Sequence, residues 1–263
     1  MKQLMFLLIA GLLSQVIAKA AETNRTSLYD LSFNLKGLQS EQSHKYKWRS
    51  VTQNGGKKES KDYAGLIISS KMEKYSLMLH DTITLVPSSE NEGTVFERRI
   101  KYPKNNLFRP EQITLDITGD GKSVREMSYE KGEMKILGEF GTTNVEHLKF
   151  DNGILTFNAL LRLAPLLPRD IGNIYAFQMY AEPFLFRVHE AEAKNDSFTI
   201  ACKASETVKI GEKSYKCVKF RMELKSAQIR TDVWVGDNNL VVKFADTSMD
   251  DADPYCLEAT LQE

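Results

Sequence analysis

Cys217-Val218-Lys219-Phe220-Arg221-Met222-Glu223-Leu224 alternates apolar and polar side chains without a break. A β-strand with one face on a core and the other in water needs this pattern, because successive side chains leave the backbone on opposite sides. Val218, Phe220, Met222 and Leu224 therefore share one face, and Cys217, Lys219, Arg221 and Glu223 the other. The same period recurs along the chain at Tyr29, Leu31, Phe33 and Leu35, at Tyr46 and Trp48, at Tyr75, Leu77 and Leu79, and at Ile113, Leu115 and Ile117. It resumes at residues 184–188, 198–202, 208–210, 229–235 and 240–244. Turn formers separate the runs: Asn54-Gly55-Gly56, Asn91-Glu92-Gly93, Gly119-Asp120-Gly121, Asn152-Gly153 and Gly236-Asp237-Asn238.

The expected fold is all-β with minor α content, a curved antiparallel sheet or open β-barrel with hairpin connections. One segment departs from the rhythm. Asn158 can cap a short helix over residues 158–163, and Pro165 and Pro168 stop it from continuing. An apolar turn of that kind plugs or covers a curved sheet.

The N-terminus carries an export signal. Lys2 precedes an apolar run over residues 4–17, and Ala18-Lys19-Ala20 supplies small residues for cleavage after Ala20. A spanning helix needs roughly 20 apolar residues, and neither this run nor any later one is long enough. No cysteine lies at the junction to carry lipid. The organisation expected is residues 1–20 as signal peptide and residues 21–263 as a single β-rich exported domain, periplasmic or secreted, with a sub-boundary allowed near 150–157.

Lys plus Arg equals Asp plus Glu at 35 each, so no net field gathers phosphate backbones or anionic headgroups, and nucleic acid is not expected as a partner. Cys202, Cys217 and Cys256 are too few for a disulfide scaffold, lack Cys-x-x-Cys spacing, and allow at most one bridge. Parity puts Cys202 on a buried face with Phe198 and Ile200, and puts Cys217 and Cys256 on polar faces. Three free thiols and a Cys217–Cys256 bridge both remain open, although a simple meander would leave two strands between that pair.

The region from about Leu148 to Phe244 resembles an uncharacterised bacterial exported family, domain of unknown function 3108. The resemblance rests on the Leu-rich segment at 158–163, then Glu206-Thr207-Val208-Lys209-Ile210, the Gly211 turn and Tyr215-Lys216-Cys217-Val218-Lys219-Phe220. It closes with Asp232-Val233-Trp234-Val235-Gly236-Asp237-Asn238-Asn239-Leu240-Val241-Val242-Lys243-Phe244, where Val241 stands in place of the proline that members often carry. The resemblance implies a strongly curved antiparallel sheet, similar in form to the open barrels of envelope lipoprotein carriers, able to hold an apolar ligand. It implies no activity.

No residue pattern calls for catalysis or a cofactor. Asp116-Ile117-Thr118-Gly119-Asp120-Gly121-Lys122 has the start of a calcium loop, yet position 12 is Met127 where a bidentate Glu is needed, so a hairpin turn explains it better. The acidic group Asp246, Asp250, Asp251 and Asp253 has no regular ligand spacing. His44, His80, His147 and His189 are scattered, with no His-Glu-x-x-His, and no nucleophile motif is present. The expectation is a non-catalytic protein with no cofactor or metal, binding a lipid-like or apolar molecule or an envelope component. Tyr46, Trp48, Phe220, Met222 and Phe244 are the candidate ligand-lining residues. The competing expectation is a secreted hydrolase or calcium-dependent carbohydrate-binding module.

Overall fold

The computed structural model describes residues 25–27, 41–54, 57–87, 93–104, 111–119, 122–130, 133–137, 146–149, 161, 164–179, 196–224, 229–248 and 256–262. Fifteen strands run through them: β1 (Arg25–Ser27), β2 (Glu41–Asn54), β3 (Lys57–Met72), β4 (Ser76–Leu85), β5 (Val95–Pro103), β6 (Gln112–Gly119), β7 (Lys122–Glu130), β8 (Glu133–Leu137), β9 (Glu146–Lys149), β10 (Ile174–Met179), β11 (Asp196–Ile210), β12 (Lys213–Leu224), β13 (Ile229–Gly236), β14 (Val241–Ser248) and β15 (Cys256–Leu261). They form one curved open sheet in the order β1-β10-β11-β12-β13-β14-β15-β2-β3-β4-β5-β6-β7-β8-β9. The ends of that order, β1 and β9, do not pair with each other, so the sheet is not a closed barrel.

Nearly every neighbouring pair is antiparallel, as hairpin connectivity requires. The exception is β1, which lies parallel to β10 with Arg25 opposite Ile174. A second long-range pairing joins the two halves: β15 lies beside β2, with Ala259 opposite Trp48 and Leu261 opposite Tyr46. The sheet is thus continuous from the early strands to the last one. The boundary allowed at 150–157, the expected strands at Tyr29–Leu35 and 184–188, and most of the expected helix lie outside the described residues, as does the signal segment.

Curvature has local causes. Extra residues interrupt the ladder at Tyr63 on β3, opposite Trp48 and Arg49, at Val124 on β7, opposite Ile117 and Thr118, at Lys203 on β11, and at Val242 on β14, opposite Trp234 and Val235. Such bulges bend a strand and increase its twist. The Cys202/Ala204 bulge also explains why residues 198–202 and 208–210, two runs in sequence, belong to one 15-residue strand.

Tight turns follow the glycine and asparagine positions. Gly211 has φ +57 at the first position of the two-residue β11–β12 loop, where a primed hairpin turn needs a left-handed residue. Asn239, with φ 60, does the same in the β13–β14 connection, where its N–H donates to the Gly236 carbonyl at 3.0 Å. Gly119 pairs with Lys122, so the calcium-like stretch is a two-residue hairpin whose tip, Asp120-Gly121, lies outside the described residues. Tyr75 departs from its expected place. It shares parity with Leu77 but precedes β4, in the turn closed by Glu73 N–H on the Ser76 carbonyl, and stands 74 % exposed.

Candidate functional site

Register brings the expected ligand residues together. Crossing the inner face from β12 to β3, one row reads Phe220, Val233, Phe244, Ala259, Trp48 and Ala64, each opposite the next in the ladder. The row on one side contains Ile200, Met222, Thr231, Asp246, Leu257 and Ser50; on the other side Val218, Val235 and Val241 align across β12–β14, and Leu261, Tyr46 and Leu66 across β15, β2 and β3. Tyr46, Trp48, Phe220, Met222 and Phe244 are all buried in a single apolar cluster. Phe244 meets Trp48 edge-on, with ring centroids 5.6 Å apart at 68°, and meets Tyr46 at 5.9 Å. Tyr46 donates its hydroxyl proton to the Val241 carbonyl at 2.9 Å, satisfying its only polar group inside the core.

This face is covered rather than bare. Leu161, Ala164 and Leu167 are buried in the same cluster, and Ala164–Leu166 forms a single turn of 3-10 helix. The covering segment is anchored at its far end. Arg169 Nη2 donates to the Gly236 carbonyl at 3.0 Å and to Asn239 Oδ1 at 2.6 Å, so one guanidinium ties the segment to the β13–β14 turn. Gly172 N–H donates to the Cys202 carbonyl, Cys202 N–H to the Asn173 carbonyl, and the Tyr175 hydroxyl to the Pro168 carbonyl at 3.3 Å.

Polar groups also lie on the inner face where sequence motifs offered no warning. Asp81 and Arg98 are 3 % and 1 % exposed and face each other across β4 and β5, with Arg98 Nη1 3.5 Å from Asp81 Oδ2. Parity was the available signal: Asp81 follows Leu77 and Leu79 on one face, and Arg98 precedes Ile100 and Tyr102 on another. Asp246 is the second case. It points inward and is buried; Asp250, Asp251 and Asp253 lie outside the described residues. Burial pushes its carboxyl up to about 7, and the Thr231 hydroxyl, donating to Asp246 Oδ1 at 2.6 Å, offsets only part of that rise.

The outer face of β11–β14 carries a smaller apolar cluster of Cys217, Trp234, Val242 and Ala245. Cys217 does lie on the face of Lys219 and Arg221, yet it is only 3 % exposed, a correction to its expected place on a wet face. The reason is local cover. Lys219 and Lys243 lay their ammonium groups over the Trp234 ring at 4.7 and 5.0 Å, and the Trp234 indole N–H donates to Glu206 Oε2 at 2.7 Å. Burial first, and then the Asp237 charge, push the Cys217 thiol up to about 11, which keeps it protonated and a poor nucleophile. A cleft of about 340 Å³ beside it is lined by Ser205, Glu206, Thr207, Lys216, Val218 and Asp237 as well as Cys217. Trp234 is covered by the two lysines, so it offers no open ring for a sugar to stack on.

All three thiols are free. Strands β13 and β14 separate Cys217 from Cys256, as a meander demands. Among the described residues no group of three His, Cys, Asp or Glu side chains could hold a metal ion. His80 is paired instead with Glu97, its Nε2 2.9 Å from Glu97 Oε1, in an outward ladder that includes Arg99.

No protein-family model matches the chain, and no curated protein matches it. The motif likeness to domain of unknown function 3108 is therefore not supported by a family match. Solved structures resemble the chain weakly. A β-barrel-like protein of domain of unknown function DUF1849 from Brucella abortus has a TM-score of 0.47 at 10 % identity, over 84 % of this chain and 95 % of that one. The ywiB protein of Bacillus subtilis has a TM-score of 0.20 at 8 % identity, over 88 % of this chain and 100 % of that one. The Pseudomonas aeruginosa MucA/MucB complex gives 0.14 at 8 % identity, over 84 % and 88 %. Among the described residues no helix is long and apolar enough to cross a membrane.

Proposed function

We propose that this chain is an exported, non-catalytic binding protein of the bacterial envelope, one β-rich domain over residues 21–263 after loss of residues 1–20. Its inner face takes a lipid-like molecule through Tyr46, Trp48, Phe220, Met222 and Phe244. The observation that carries the reading is the cover: among the described residues, the large apolar sheet face is closed by the irregular segment that holds Leu161, Ala164 and Leu167. Leu161, Ala164 and Leu167 occupy the place an apolar chain would take. Ligand entry consists of exchanging those three side chains for the ligand, while Arg169 keeps the segment tethered to the β13–β14 turn. Burial of the ligand's own apolar surface offsets the exposure of the displaced side chains. The signal sequence and the motif likeness to an exported family support the compartment.

The test is intact mass under native conditions of protein purified without detergent, repeated after organic extraction. A discrete extra mass that extraction removes supports the reading and gives the ligand class. A single mass matching residues 21–263, unchanged by extraction and by added phospholipid or fatty acid, overturns it.

A further inference from the structure

The chain has two tryptophans, and they are treated differently. Trp234 is 8 % exposed and its indole N–H is satisfied by Glu206 at 2.7 Å. Trp48 is 6 % exposed, and its indole N–H, fully buried, has no hydrogen-bond partner. The ring's neighbours explain why. Ala64 and Ala259 flank it in the ladder, and the rings of Phe244 and Tyr63 meet it edge-on at 5.6 and 5.7 Å, none of them offering an acceptor to the N–H. Buried donors in folded proteins are nearly always paired, because leaving one unmade forfeits its hydration with nothing in exchange.

Two further facts place this donor at a ligand position. Trp48 belongs to the row that runs from Phe220 to Ala64, on the face covered by Leu161, Ala164 and Leu167. The residues flanking it on each side along the ladder are alanines, so the ring edge is bordered by the smallest side chains of the row. Elsewhere on this face Tyr46 donates to Val241, Thr231 donates to Asp246, and Arg98 Nη1 lies 3.5 Å from Asp81 Oδ2.

Resting on the reading of this face as an apolar-ligand site, we propose that the Trp48 indole N–H donates a hydrogen bond to the ligand. The ligand class is then an acyl lipid whose ester or amide carbonyl is carried into the apolar face, rather than a pure hydrocarbon. A carbonyl reaching Trp48 removes the unmade bond and gains one in a place without competing water, so it selects acyl chains by their polar end. Trp234, already paired on the outer face, takes no part.

The test uses 15N-labelled full mature chain and follows the two indole N–H signals, assigned with Trp48→Phe and Trp234→Phe. Methyl palmitate and heptadecane, added from the same dilute alcohol stock, are the probes. The expected result is that the ester moves the Trp48 signal downfield and slows its exchange with solvent, while the hydrocarbon shifts core methyl signals without that effect. Trp48→Phe, which keeps an aromatic ring but no N–H, then lowers the ratio of ester affinity to hydrocarbon affinity about tenfold. If both probes perturb the core alike and the Trp48 signal stays put, the donor role is wrong and the apolar site stands. If neither probe perturbs any core signal, the site reading itself fails and this inference falls with it.

Discussion

Replacing Asp246 by asparagine should change how stability depends on pH, and structure sets both the sign and the size of the change. The carboxyl is buried on the inner face, with the Thr231 hydroxyl as its hydrogen-bond donor at 2.6 Å. Burial raises it from 3.8 to about 7 in the folded chain. Between those two values the unfolded chain has lost the proton and the folded chain keeps it, so stability falls as pH rises and levels off once the folded carboxyl ionises. The slope across that window is about 1.4 kcal/mol per pH unit for one such group, or roughly 3 kcal/mol between pH 5 and pH 7 as an upper figure. Asp62, Glu97, Asp232 and Glu258 act with the opposite sign. Each is held below its ordinary value of 3.8 or 4.5, so their contributions vary at more acid pH and leave this window to Asp246. Asparagine keeps an acceptor for Thr231 but buries an amide NH2, a pH-independent cost of about 1–3 kcal/mol. Urea unfolding followed by circular dichroism in half-unit steps from pH 5 to pH 8 should therefore show Asp246→Asn less stable at pH 5, with the gap closing by about 2–3 kcal/mol by pH 8. Parallel curves with a constant gap would refute the account of Asp246 as a carboxyl held neutral by burial.

Four other outcomes follow from named contacts. Phe244→Ala removes a ring with no exposed surface that packs on both Tyr46 and Trp48, and should cost roughly 3–5 kcal/mol in the same unfolding assay. Arg169→Ala releases the covering segment from Gly236 and Asn239; amide exchange at Leu167 and Gly172 should accelerate at least tenfold while β12 and β13 stay protected, and unchanged exchange would show that the guanidinium is not the tether. Gly211→Ala places a Cβ at φ +57 and should destabilise by about 1 kcal/mol with the space around it open, so the loss reports backbone conformation alone. Cys202 and Cys217, both buried and both pushed upward by that burial, should react with iodoacetamide at pH 8 far more slowly than an unfolded control, and full labelling of either within the control's reaction time would contradict their placement.

On the outer face, Asp232 shows charge balancing of another kind. Burial works to raise its carboxyl, but hydrogen bonds from Arg221, at 2.8 and 3.0 Å, and from Lys219 outweigh it and hold the group below 3.8. Its stabilising contribution is present above that value and is lost as pH falls below it. The same ladder continues to Glu206 and so to the Trp234 indole, which is how a strand face written as polar in sequence comes to bury Cys217.

Alternation is a local property, and what depended on it alone was legible before any coordinates. Val218, Phe220 and Met222 facing inward, the turn at Gly211, the Gly236–Leu240 turn and the inward aromatic set of Tyr46, Trp48 and Phe244 all follow from side-chain parity and from backbone positions that favour glycine or asparagine. Strand order is not local. That β15 lies beside β2, that β1 crosses to run parallel with β10, and that a bulge merges two apolar runs into β11 depend on pairings between residues up to hundreds of positions apart. The unexpected polar groups belong to this second class. Asp81, Arg98 and Asp246 read as ordinary charged residues because a carboxylate's environment is set by the strands that close over it. The two tryptophans make the point with identical side chains: only the folded chain gives Trp234 a glutamate from another strand, and leaves the Trp48 N–H among alanines and rings.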